Sequence, residues 1–233
     1  MIRGDHTVNT LTRIGAAAGA AALLGAGAAM PAQAHDGHHH GGSGAGAGAA
    51  VAVHPGSTLG FAKVRELNGS DAWGVATVHL KGQKADVRLS AFGLVRNAPH
   101  AMHFHAGARG TCPTGAADSN DDGFVSVSEG HPFYGDIVTS LTTSGDTSPA
   151  SGLAIDRFPT APRGRITYHR TITVDPAAAA AIRAGNAVLV VHGVDKNGSG
   201  AYDGPVVSDL DPSLPMEATA PAGCGTVRAL LRY

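Results

Sequence analysis

Residues 74–92 read GVATVHLKGQKADVRLSAF. Apolar and polar residues alternate on both sides of Lys81-Gly82-Gln83-Lys84. A period of two marks a strand with one buried face, and a short glycine-containing turn between two such runs makes a β-hairpin. The pattern recurs along the chain. Pro99–His105 sets His100, Met102 and Phe104 against Ala101, His103 and His105. Ile137–Thr142 is a short strand, Arg165–Val174 (RITYHRTITV) a clean one, Ala187–Val191 a buried apolar one leading into His192, and Val227–Leu231 the last. Pro176–Ala184 (PAAAAAIRA) predicts one short helix, with Asp175 as its N-cap and Gly185 as its stop. Strands at this spacing with turn signals between them predict an all-β sandwich or barrel. No internal repeat is visible.

Composition agrees. Aromatic residues are 5% of the chain and glycine is abundant, which favours short strands and turns over a helical bundle. The formal net charge of −1 gives no case for a nucleic acid or an electrostatic membrane partner. The N-terminus predicts export. Met1–Arg13 is polar, Ile14–Met30 is uncharged and apolar, and Pro31-Ala32-Gln33-Ala34 offers a small-residue cleavage pattern. The apolar run is short for a membrane span, which needs about 20 residues. No cysteine at the cut points to a lipoprotein, and no twin-arginine pair is present. The expected organisation is therefore a signal peptide over 1–34, a His/Gly-rich arm over 35–52 and a β-domain over 53–233, with a secreted, extracellular location. The two cysteines, Cys112 and Cys224, most simply form one disulfide in an oxidising compartment, with two free thiols as the alternative.

The histidines carry the chemistry. His103 and His105 lie at i and i+2 of a strand, so both imidazoles share one face. That spacing suits chelation of one soft or borderline metal. His192 ends an apolar strand where it meets a loop, and His131 lies between them in sequence. Neutral imidazoles with no thiolate in reach suit Cu(II) or Zn(II). The alternative for each is a satisfied core or rim histidine. His35, His38, His39 and His40 in the arm form a looser set able to pick up copper, zinc or nickel.

Two loops carry oxygen ligands. Asp118–Glu129 matches an EF-hand loop, with Asp118, Asn120 and Asp122 at 1, 3 and 5, and Gly123 at 6. Phe124 offers its carbonyl at 7, Ser126 sits at 9 and Glu129 at 12. The flanks do not read as paired helices, so the loop is expected as a calcium staple within a β-domain. Asp195, Asn197, Ser199 and Asp203 repeat the 1, 3, 5, 9 spacing without the closing glutamate, as a possible second calcium loop or a plain Gly/Asn/Asp turn.

Three blocks resemble the copper/zinc superoxide dismutases. PHAMHFHAGARGTCP looks like their H-x-H…C segment, LVVHGVD like their later copper-ligand strand, and AGCGTV like the segment carrying their second disulfide cysteine. The resemblance implies an eight-stranded Greek-key barrel or sandwich, a Cys112–Cys224 bridge and long metal-binding loops. It also implies copper ligation by His103, His105, His131 and His192, which would serve catalysis with superoxide as substrate. The family's zinc loop and the arginine before its last cysteine have no counterpart here, so a copper-only site is the implied form. The run AAIRAGNAVLVVHG also resembles chordin-type (CHRD) domains, and the arrangement as a whole resembles secreted actinobacterial proteins of that type. Three functions are open at this point: a copper-dependent dismutase, a non-catalytic copper/calcium-binding module, and a structural cell-envelope domain. No nucleophile–base pattern points to a hydrolase.

Overall fold

The computed structural model describes residues 56–233. The expected signal peptide and the arm with His35, His38, His39 and His40 lie outside the described residues. No helix among the described residues is long and apolar enough to cross a membrane.

Eight strands form the domain: β1 (Ser57–Glu66), β2 (Trp73–Lys81), β3 (Lys84–Phe92), β4 (Met102–Ala106), β5 (Asp136–Ser140), β6 (Arg165–Thr173), β7 (Ala187–His192) and β8 (Pro221–Arg232). They make one curled sheet in the order β5-β4-β7-β8-β1-β2-β3-β6, antiparallel throughout. The all-β expectation holds. No ladder joins the two end strands. Side chains bridge that seam instead: Tyr168 Oη donates to the Thr142 carbonyl at 3.2 Å and Thr147 Oγ1 to the Thr173 carbonyl at 3.1 Å. The Arg170 guanidinium donates to the Thr142 carbonyl at 3.0 Å and the Gly145 carbonyl at 2.7 Å.

β1 escaped the sequence reading because its buried face is Thr58, Gly60, Ala62 and Val64, small residues with a weak apolar signal. β8 begins at Pro221, earlier than the expected Val227, and so contains Cys224. Gly223 and Gly225 hide its start. They are needed there, since a Cβ on Gly225 would stand 2.7 Å from the Lys63 carbonyl of β1.

The expectation of a single short helix is corrected. α2 (Pro176–Ala184) matches it, capped by the Asp175 side chain accepting from Ala177 N, and it buries Ala178, Ala179, Ala181 and Ile182. Two further helices are present, α1 (Val127–Tyr134) and the short α3 (Met216–Thr219). α1 contains Gly130 and Pro132, poor helix formers, so periodicity and propensity missed it. Its start was legible as a capping box: Ser126 accepts from Glu129 N, and the Glu129 carboxylate accepts from Ser126 N. The same two residues occupy positions 9 and 12 of the calcium-type loop.

β4 and β7 are buried on both faces. One face, with Met102, Phe104, Leu189 and Val191, belongs to the main core. The other carries Val188 and Val190, which pack with Tyr134 of α1 and with the disulfide Cys112–Cys224. The two cysteines thus form the bridge rather than free thiols. Loops cover this second face, and His103, His105 and His192 lie there.

Candidate metal centre

The β4–β7 register pairs His103 with Val190 and His105 with Val188. His192, two residues beyond Val190, projects on the same face, and its N–H donates to the Ala101 carbonyl at 2.8 Å. The alternation read from the sequence therefore delivers three imidazoles to one point. Their ring centroids stand 5.1 Å (His103–His192), 5.7 Å (His103–His105) and 6.2 Å (His105–His192) apart. One nitrogen from each lies within 4.8 Å of the other two. All three residues are at most 4% exposed.

Each ring is fixed by its other nitrogen. His103 Nε2 donates to the Gly152 carbonyl at 3.1 Å, His105 Nδ1 to the Gly135 carbonyl at 2.9 Å, and His192 Nδ1 to the Thr219 carbonyl at 2.6 Å. A carbonyl only accepts, so these bonds set the tautomers and leave His103 Nδ1, His105 Nε2 and His192 Nε2 as bare lone pairs. Those three atoms are buried and have no hydrogen-bond partner. This is the arrangement by which proteins orient imidazoles on metals. The set could hold a metal ion. Burial holds all three rings neutral: His103 falls well below the usual histidine range, helped by the neighbouring His192 and His105. His105 falls to about 3 and His192 to about 4, burial being the main cause in each.

Further residues complete the surround. Tyr134 of α1 lies 4.6 Å from the His105 ring, centroid to centroid. Gly135 follows it at φ 85°, with its own carbonyl on His105. A Cβ there would fall 2.0 Å from the Ala106 carbonyl, so only glycine lets the loop turn against β4. His100, on the opposite face of the strand run, is buried and donates through Nδ1 to the His192 carbonyl at 2.7 Å. A cavity of about 220 Å³ opens above the triad. A larger open groove of about 940 Å³ lies over the disulfide and touches none of the three histidines.

His131 does not join the triad. It is exposed on the last turn of α1, with Nε2 2.8 Å from Asp136 Oδ1. Its position after the first cysteine supplied the expectation, but α1 turns it outward.

The first calcium-type loop adopts the expected turn. Gly123 N donates to Asp118 Oδ2 at 3.0 Å, Asp122 N to Asn120 Oδ1 at 3.0 Å and Phe124 N to Asp122 Oδ1 at 2.9 Å. Asp118 Oδ1 is buried without a partner. Glu129 is turned to its helix: Oε2 accepts from Ser126 N at 3.0 Å and Oε1 from Ser119 N at 2.7 Å. Partial burial alone would raise its pKa, but these amides and the Ser119 hydroxyl hold it at about 2. The Phe124 side chain enters the main core.

In the second loop the side chains bond within the loop. Asp195 Oδ1 accepts from Gly198 N at 2.7 Å, Asn197 Oδ1 from Ser199 N at 2.9 Å, and Asp203 Oδ1 from Ser199 Oγ at 2.8 Å. The residue sequence reasoning missed is Glu217. It is 2% exposed, and its carboxylate accepts from Lys196 N at 2.8 Å, Asp203 N at 2.9 Å and Gly204 N at 2.8 Å. It therefore pins both ends of the loop. The one signal available was a charged residue isolated in the apolar run Met216–Ala222.

Comparison with protein-family models finds no match to this chain, and comparison with curated proteins finds no significant match.

Proposed function

We propose that the chain is an exported copper-binding protein on a superoxide dismutase-like barrel, with His103, His105 and His192 as the ligands. The observation that carries this reading is the convergence of three buried nitrogens that lack any partner. Each orphaned nitrogen costs about 1–3 kcal/mol, and an ion at their common point satisfies all three. The chemistry of the donors favours copper over zinc. All three ligands are neutral, and the cavity above them is mostly apolar. The cost of burying an ion rises with the square of its charge, so such a site favours a monovalent ion, and copper has that state. When bound, copper supplies one-electron chemistry between Cu(II) and Cu(I). The chain's own contribution is to hold three rings in fixed tautomers and to limit water at their free nitrogens.

Copper-dependent superoxide dismutation is the second reading. It is favoured by the strand order, with a histidine pair on β4 and a third histidine ending β7, which is where the resemblance placed the ligands. The cavity weighs toward binding without rapid turnover, because no Lys or Arg lines it and Asp211 does. Superoxide is an anion and gains no steering from such a wall. A calcium ion at Asp118–Glu129 belongs to the same proposal as a structural ion, supported by the unpartnered Asp118 Oδ1. Binding there requires Glu129 to leave Ser119.

The test is elemental mass spectrometry and a superoxide assay on one sample, with His35, His38, His39 and His40 replaced by Ser so that the arm adds no copper. One copper per chain with turnover slower than free aqueous copper establishes a binding protein, and faster turnover establishes the dismutase. A chain that retains no copper refutes the reading.

A further inference from the structure

We infer that the cavity above the triad receives a small neutral molecule, with an apolar body about the size of a six-membered ring and one uncharged donor atom directed at the histidine point. The donor-atom half of this inference rests on the copper reading, and the apolar half does not.

Size, wall chemistry and charge agree. The volume is about 220 Å³. A cavity of roughly 150 Å³ lined by Leu, Ile and Phe stays dry and admits benzene, so one ring fits here with room for a substituent. The walls are built from Val127, Ile137, Leu153, Ile155, Leu210 and Leu214. The polar groups are few, and most are already engaged. The rings at the floor hold the backbone carbonyls of Gly152, Gly135 and Thr219. Tyr202 Oη donates to the Pro99 carbonyl at 3.0 Å, and Asp211 Oδ1 accepts from Ser213 N at 2.9 Å. A solute with several polar groups would lose its hydration without replacement.

Charge narrows the class further. An anion entering the cavity meets the Asp211 carboxylate and no compensating Lys or Arg. A cation entering it approaches the bound ion. A neutral donor such as an aromatic imine, an amine in its free-base form or a thioether meets neither cost, and soft ligands of this type suit copper. The mouth gives the same answer. Leu153 is 49% exposed, Ile155 44% and Leu210 43%, and all three also line the cavity. These are apolar lining residues left in water, of the kind that marks a ligand site.

The experiment uses the full chain with the arm histidines replaced by Ser, with pyridine and azide as probes in alkaline buffer, where pyridine is neutral. Copper content is measured first. In the copper-loaded protein, pyridine is expected to perturb the Cu(II) electron paramagnetic resonance spectrum at a concentration roughly ten-fold below that of azide. Leu153→Asp, at a half-exposed rim position, is expected to narrow that ratio with copper content unchanged. In the metal-free protein, benzene is expected to shift the methyl resonances of Ile137, Leu153, Ile155 and Leu210 selectively. Those shifts support the apolar half even in a chain found to hold no copper, an outcome that would sink the copper reading alone. Azide binding as tightly as pyridine, or benzene leaving those methyls unmoved, overturns the inference and leaves the copper reading standing.

Discussion

Lowering the pH of the metal-free protein is expected to destabilise it well before its carboxylates titrate. His105 and His192 are buried neutral, with pKa values held down to about 3 and about 4 against 6.5 for the free side chain. The unfolded chain takes up a proton at each as pH falls through about 6.5, and the folded chain does not. The unfolded state then binds more protons, so stability is full above about pH 6.5 and falls below it. The loss stops growing only beneath the folded values. At about pH 5 each residue costs 1.36 kcal/mol times about 1.5 pH units, or about 2 kcal/mol. The pair costs about 4 kcal/mol, a large share of the 5–15 kcal/mol typical of a domain. His103 and His100, also shifted down by burial, act in the same direction. Urea denaturation at about pH 8, 6 and 5 reads this as a falling midpoint at constant slope. The double variant His105→Gln/His192→Gln should flatten the profile by about the calculated amount. A midpoint that does not move between about pH 8 and 5, or an equal fall in the double variant, would refute the claim that these rings are buried and neutral.

His103→Ala/His105→Ala should abolish stoichiometric copper binding and His131→Ala should leave it intact, read by elemental analysis after dialysis. Replacing both cysteines by Ser opens a bridge with a sequence separation of 112. Loop entropy alone then predicts a loss of about 5 kcal/mol, measured by denaturant titration. Glu129→Ala should cost about 1 kcal/mol without calcium, because the residue caps α1, and should also shrink any stabilisation that calcium adds. The calcium reading is checked separately: added calcium should raise the melting temperature, and Asp118→Ala should remove that rise. Glu217→Gln sets an amide N–H₂ against backbone donors and should cost about 1–3 kcal/mol. Faster hydrogen exchange at Lys196, Asp203 and Gly204 would accompany the loss.

The sequence carried much of the fold because strands announce themselves by alternation. The hairpin at Lys81–Lys84 and the strand Arg165–Thr173 were legible to within a residue or two, and so was α2 with its Asp175 cap. β1 and the start of β8 were not, because their small residues are demanded by close strand packing and carry no hydrophobic signal. At the site, the H-x-H alternation placed His103 and His105 on one face, and the strand-end position of His192 brought it to them. The carbonyls of Gly135, Gly152 and Thr219 had no signature, since a backbone acceptor can belong to any residue. His131 was misplaced because α1 has weak propensity throughout, so the helix that turns it outward carries little sequence signal beyond the capping box at Ser126 and Glu129.

The seam between β5 and β6 has a consequence for how this molecule behaves among its own copies. An unpaired strand edge is a template for another chain's strand, and two such edges on one molecule would permit end-to-end polymerisation. Here Tyr168, Arg170 and Thr147 tie the β6 edge to the segment that follows β5. The bonds that bridge this seam therefore also act as a guard against fibre growth, and the guard depends on a handful of side chains rather than on a ladder. Loss of Arg170 would remove the bonds to both Thr142 and Gly145 and leave the guard to Tyr168 and Thr147 alone.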